Sequence, residues 1–428
     1  MRVSRSICIG QVCMAVLLDL CLLHAADVRS EDVPPRAAAR FINAENIFSP
    51  EHLHNHGSCL VECPNGDLLC CWYRGSGERR ADDVAVYGAR RRRGEERWSE
   101  PFVMADTPGF PDTNPCLLVD PRGKLWLIWQ TIIANEWHTA LTKYKIAAEY
   151  TGDGPPRWDV SDTLILKPGP EFSETVGKQC DLDEPALEKL PEAQRETARK
   201  YLARRRERAG DKYFIRMGWM TRVHPLVLDG KALIVPLYSD GFDFSIMALS
   251  HDWGANWSAS APLVSFGGVQ PSLVRKKNGT LVAYMRDNGP PPKRVLTSES
   301  SDGGRTWNSV VDTAIPNPGA GLEVLGLVSG SWVLINNDTE QGRHRLTVSL
   351  SDDEGQTWKW SRALESDDPG PEATTASYPS IAQGRDGRLH ASYTFTLKGK
   401  NATPGPEGKR EVECIKHAEF DEAWIRAR

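Results

Sequence analysis

Runs of strand-forming residues, each broken by a polar-Gly-x-apolar turn, recur along the chain at Asn65-Gly66, Arg122-Gly123, Asp229-Gly230, Asn278-Gly279, Ser329-Gly330 and Asp386-Gly387. A polar residue followed by glycine inside such a run is a hairpin signal, because the turn needs positive φ. Each turn has a tryptophan downstream, at Trp98, Trp158, Trp257, Trp307, Trp358 and Trp424. The six glycines lie 57, 107, 49, 51 and 57 residues apart. All but one of these intervals approach the length of a four-stranded propeller blade, about 40 to 50 residues. The pattern predicts an all-β fold, a six-bladed β-propeller over residues 50–428. Within the long interval, Leu182 to Ala209 is rich in Glu, Ala, Lys and Arg with leucine at helical spacing. It predicts a helical insertion between blades two and three, with Arg204 to Arg208 on a solvated face.

Three of the tryptophans close one template. Ser250 to Trp257, Ser300 to Trp307 and Ser351 to Trp358 all read S-x-D-x-G-x-[TN]-W, at intervals of 50 and 51. In such a turn the Asp accepts from backbone N–H groups, the Gly takes positive φ and the Trp packs the turn onto its sheet.

Composition changes this picture little. The 428 residues are 40% hydrophobic and 25% charged, ordinary for a folded chain, and 14 of them are Trp. A net charge of -5 gives no electrostatic reason to expect a nucleic-acid partner. Arg2 and Arg5 precede an apolar run, Ile7 to Leu23, followed by Ala25 and Ala26. This reads as a secretory signal over residues 1–26, with residues 27–49 as an extension before the propeller and an exported mature chain without a membrane span. Seven cysteines follow the signal, an odd number, in no CxxC pair; buried thiols with at most one bridge among Cys59, Cys63 and Cys70 are expected. No metal or cofactor is implied, and a monomer is expected. His52, His54 and His56 alternate and would share one side of a strand, read here as a surface strand before blade one.

Counting back from each turn glycine compares equivalent places on the innermost strands. Nine residues before Gly123, Gly279 and Gly387 stand Asn114, Gln270 and Tyr378, each followed by proline. A proline is tolerable there because the innermost strand is a sheet edge. With a residue or two of slack the other blades offer His56, Thr221 with Arg222, and Gly321 with Glu323. Polar groups gathered at one height around a channel predict a ligand site, the alternative being a channel filled by water alone.

These features resemble the sialidase superfamily, six-bladed propellers bearing Asp boxes of the S-x-D-x-G-x-T-W form, over roughly residues 50 to 425. The resemblance implies three arginines on a substrate carboxylate, a tyrosine nucleophile, a glutamate that activates it and an aspartate acid/base. Met285-Arg286-Asp287 matches the segment of the second arginine, Arg343 the third, and Ser377-Tyr378-Pro379 the nucleophile. Asp82 and Asp83 fall in the loop where the family places its acid/base, with Asp83 preferred. Two positions depart: His56-Gly57-Ser58 stands where the first arginine is expected, and Gln270 where the activating glutamate is. Glu323 or His56 would then serve as the base, with Arg222, Arg286 and Arg343 as clamps and Gln270, Asn114 and Asp82 as further substrate contacts.

The resemblance thus implies an exported exo-glycosidase acting on an acidic sugar such as sialic acid. The alternatives are a hydrolase or lyase on uronic-acid polysaccharides centred on His56, and a glycan-binding propeller without turnover. Tyr393 and Trp219 read equally well as packing residues, and Arg286 as a partner of Asp287.

Overall fold

The computed structural model describes residues 41–427. Six four-stranded antiparallel sheets follow one another, and in each the spatial order of strands is their order in the chain, except in the last. The innermost strands are His54–Glu62, Asp112–Val119, Leu226–Leu228, Gly268–Arg275, Glu323–Gly326 and Thr375–Gln383. All six turn glycines adopt φ between +64° and +91°, as the hairpin pattern requires. The expected six-bladed propeller is therefore present.

Blade six is completed by the start of the described chain. Phe41–Asn46 pairs with the blade's third strand, Glu411–Phe420, with Ala44 opposite Ala418. Residues expected in an extension thus belong to the propeller. The segment before them, including the proposed secretory signal, lies outside the described residues. Among those residues no helix is long and apolar enough to cross a membrane.

The insertion is longer than its charge pattern announced. Helix α1 (Pro170–Leu187), helix α2 (Glu192–Gly210) and helix α3 (Lys212–Arg216) lie between blades two and three. Phe172, Val176 and Cys180 recur every fourth residue of α1 and bury one stripe of it, a start masked in the sequence by intervening polar residues. Phe172 meets Phe242 at 5.4 Å, and Trp219 stacks on Phe242 at 5.8 Å. Trp219 is thus a packing residue. Arg205 and Arg208 depart from the expected solvated face: the Arg205 guanidinium is buried against Tyr201 and Phe266, 4.6 and 5.0 Å from their ring centres, and half-buried Arg208 lies over Phe214 at 4.4 Å. All seven cysteines in the described region are buried and unpaired.

The S-x-D-x-G-x-[TN]-W turns bind as their chemistry predicts. In the second, Asp302 accepts from the backbone N–H of Arg305 and Thr306 and from the Thr306 hydroxyl. Their packing reaches further than one sheet. Gly254, in the blade-three turn, lies so close to Trp126 of blade two that a Cβ would come within 2.9 Å of the ring. Tyr144 of blade two donates to the Gly254 carbonyl at 3.1 Å. Trp358 of blade five meets Tyr284 of blade four at 6.0 Å. These turns therefore fasten blades three, four and five each to the one before it.

Trp126 is fully buried and its indole N–H is held by Asp120 at 3.0 Å. Trp126→Ala is expected to cost about 3–5 kcal/mol in urea unfolding, through lost contact on both blades.

Candidate active site

Four of the six innermost strands break register at the same place. Two residues, Gly57-Ser58, Asn114-Pro115, Gln270-Pro271 and Tyr378-Pro379, oppose a single residue on the neighbouring strand. This is a β-bulge, and its first residue is left-handed in every case: φ is +65° at Gly57, +44° at Asn114, +54° at Gln270 and +53° at Tyr378. A non-glycine residue in that region costs of order 1–3 kcal/mol, and here it is adopted three times around one axis. The effect is to swing Asn114, Gln270 and Tyr378 into a cavity of about 310 Å³, which His56, Glu78, Asp240, Arg286 and Arg343 also line.

Tyr378 is the centre of this cavity. Its hydroxyl accepts from Arg286 Nη1 at 2.6 Å and from Gln270 Nε2 at 3.5 Å. Arg343 and Arg222 place their guanidinium carbons 5.1 Å from its ring centre. Burial pushes the phenol up, but Arg286, Arg343, Gln270 and Arg222 together outweigh it and hold it below its ordinary value. His56 lies against the same ring, centroids 4.1 Å apart. Burial, then the cations His54, Arg343, Arg222 and Arg286, drive its pKa well below the usual histidine range, so His56 is a neutral imidazole here. His56 Nδ1, Asn114 Oδ1, Gln270 Oε1 and Arg286 Nε are buried without a protein partner. Buried polar atoms need partners, and four gathered in one cavity can be met by a ligand or by ordered water.

A scan of family models matches residues 66–179 and 198–391 to the BNR repeat-like domain. The chain belongs to that family. No curated protein matches it. Among solved structures, a Dyadobacter fermentans protein of unknown function superposes with a TM-score of 0.64 at 14% identity, covering 90% of this chain and 100% of the other. The leech intramolecular trans-sialidase superposes with a TM-score of 0.62 at 14% identity, covering 90% of this chain and 71% of its own. The NanB sialidase from Streptococcus pneumoniae gives 0.60 at 11%, covering 87% and 69%. At these identities the likeness is one of fold.

Within this BNR repeat-like propeller the expected site residues divide. Tyr378, Gln270, Asn114, His56, Arg286 and Arg343 all line the cavity. Glu323 does not. It lies level with Ile381, three residues along the innermost strand from Tyr378, and accepts the Ile381 N–H at 2.8 Å. Its other oxygen binds His224 Nδ1 at 2.6 Å, and His224 Nε2 faces Cys59 Sγ at 3.3 Å. Burial would raise the Glu323 carboxyl, but His224 outweighs it and keeps it low. Its role is to bind strands together beneath the cavity. Arg222 is likewise no free clamp: it donates to the carbonyls of Ser58 and Pro379 at 3.2 and 3.0 Å, groups that the bulges release from the ladder.

Asp82 and Asp83 are exposed on the loop after Leu68–Gly75, away from the cavity. Asp83 holds the turn by accepting from the Ser76 N–H and hydroxyl. Glu78 is the carboxylate which that loop sends inward, accepting from Tyr73 at 2.9 Å and facing His54 at 3.3 Å. Burial raises Glu78, but His54 outweighs it and its pKa falls below the usual value. His54 also pairs with Glu413 at 2.9 Å; burial works against its charge, yet the two carboxylates lift its pKa to about 9. Asp240, missed in the sequence, sits on the blade-three loop. Burial pushes its carboxyl up to about 6 against the opposing pull of Arg286. Only its place after a turn-bound strand could have singled it out. Tyr393 opposes the Tyr378 bulge and donates to Glu365 at 2.6 Å, a packing role. Among the described residues no cluster of three or more His, Cys, Asp or Glu is placed to hold a metal ion.

Two outcomes test this arrangement. In ultraviolet titration, the difference between the protein and Tyr378→Phe should show a phenol ionising below the ordinary tyrosine range, and in Arg286→Met that ionisation should move to higher pH. Glu323→Gln should lower stability in urea by about 3–5 kcal/mol, through the stranded His224 charge, while leaving the Tyr378 titration in place.

Proposed function

We propose that this propeller is a retaining glycoside hydrolase of sialidase type, acting on an acidic sugar. The observation that carries the reading is the Tyr378 phenol, aimed into the cavity by a strained bulge and surrounded by three guanidinium groups. A tyrosine that only packed would gain nothing from that strain.

Arg286 and Arg343 face the cavity and supply the charge for a substrate carboxylate, which planar guanidinium forks bind bidentately. With Gln270 where a proton acceptor would stand, activation falls to the positive field, which favours the ionised phenol and so prepares the nucleophile without a carboxylate base. The phenolic oxygen attacks the anomeric carbon as the bond to the leaving oxygen breaks. Asp240, protonated below about pH 6, gives its proton to that oxygen. The resulting carboxylate then takes a proton from water as water displaces Tyr378, returning both groups to their starting states. Glu78 is poorly suited to the acid role, since its bond to His54 keeps it ionised.

The lyase alternative asks His56 to remove a carbon-bound proton. A histidine held so far below its ordinary pKa among cations is a weak base, and the observations favour hydrolysis.

Sialosides and uronosides with aryl and sugar leaving groups provide the test. Tyr378→Phe should lower kcat by about a thousandfold or more. Asp240→Asn should lower kcat/KM on sugar leaving groups by about 10²–10⁴-fold, spare aryl leaving groups, and remove the fall in activity as pH rises through about 6. Product release unaffected by Tyr378→Phe, or an unsaturated uronate product, would sink the reading.

A further inference from the structure

A second cavity of about 570 Å³ opens beside the first, where helix α2 overhangs the loops of blades three and four. Asn288 lines both cavities, so it forms their shared wall. The apolar side of the second is an aromatic shelf. Phe266 is 39% exposed, and Tyr201 of α2 lies 5.8 Å from it, ring centre to ring centre, inclined at 31°. The shelf is held rigid from behind: Arg205 donates to the Tyr201 hydroxyl at 2.5 Å and the Ser265 carbonyl at 2.6 Å while its guanidinium lies against both rings. Asn288 N–H donates to the Gly267 carbonyl at 2.8 Å, which locks the blade-four loop to the residue beside Phe266.

We propose that the helical insertion carries a second sugar site, with Phe266 and Tyr201 as a stacking shelf and Asn288 and Gln194 as hydrogen-bonding groups, for a neutral hexopyranose on the leaving-group side of the cleaved bond. The proposal rests on the hydrolase reading above. An apolar ring face next to amides suits a pyranose, whose C–H face is apolar and whose hydroxyls need partners. Neutral sugar is favoured because Asp243 lines the cavity and, among its described lining residues, there is no lysine or arginine to accept a second acid. The direction follows from the loop that joins the two cavities: Asp240, which protonates the leaving oxygen, and Asp243, which lines the shelf, are three residues apart.

The probe is 3′-sialyllactose against an aryl sialoside of the same acid sugar. Phe266→Ala should lower kcat/KM on sialyllactose by about 10-fold or more and leave the aryl sialoside unchanged, with Phe266→Trp retaining both. In saturation-transfer NMR on Tyr378→Phe, which keeps the trisaccharide intact, transfer should reach galactose or glucose protons and be lost on adding Phe266→Ala. An equal effect of Phe266→Ala on both substrates, no effect on either, or no transfer to hexose protons would overturn the shelf. If the unaltered protein hydrolyses neither compound, the hydrolase reading fails, and the NMR result still decides the shelf: hexose transfer lost in Phe266→Ala upholds it.

Discussion

Ring closure is the constraint on which the site depends. A four-stranded blade is apolar on its faces, which only packing against neighbouring blades can cover. Pairing Phe41–Asn46 with Glu411–Phe420 builds the last blade from both ends of the described chain, and the three Asp-box turns fasten blades two to five together. Only a closed ring brings the innermost strands of all six blades to one axis. Tyr378, Gln270, Asn114 and His56 come from four different blades, and no local segment could assemble them.

Within that frame the chemistry is set by a charge imbalance. Arg222, Arg286 and Arg343 surround one phenol, and the nearest position that could have carried a neutralising carboxylate is an amide, Gln270. Burial, together with His54 and the same arginines, holds the His56 pKa well below the usual histidine range. The carboxylates that do line the cavity have unlike tasks because their surroundings differ: Glu78 is tied to His54, whereas Asp240 is desolvated and can hold a proton near neutral pH. Pairs of groups pushed apart in this way allow a buried site to contain donor and acceptor at once.

Much of the fold was readable before the structure, because a repeat states the same instruction many times. Gly-to-Trp spacing located six blades, and the shared proline located the bulge register, so Asn114, Gln270 and Tyr378 were found at equivalent heights. What escaped was depth and loop course. Glu323 and Arg222 are near the right height by counting, yet a step of two or three residues along an inner strand moves a side chain from cavity to interior. Asp83 and Glu78 share a loop, and nothing in their spacing tells which turns inward. Phe172 begins α1 in a stretch whose polar residues outnumber its buried ones, and buried Arg205 stands in an arginine run beside exposed Arg204, with nothing in the run to tell the two apart.

The bulges also bear on how such a protein changes its chemistry over time. Their backbone path is the same whether the first residue is glycine, asparagine, glutamine or tyrosine. The scaffold therefore offers sockets that accept exchange of the functional group without a new loop or a new strand pairing. A different residue at one socket changes the group that faces the cavity and asks nothing new of the hydrogen bonds on either side of it.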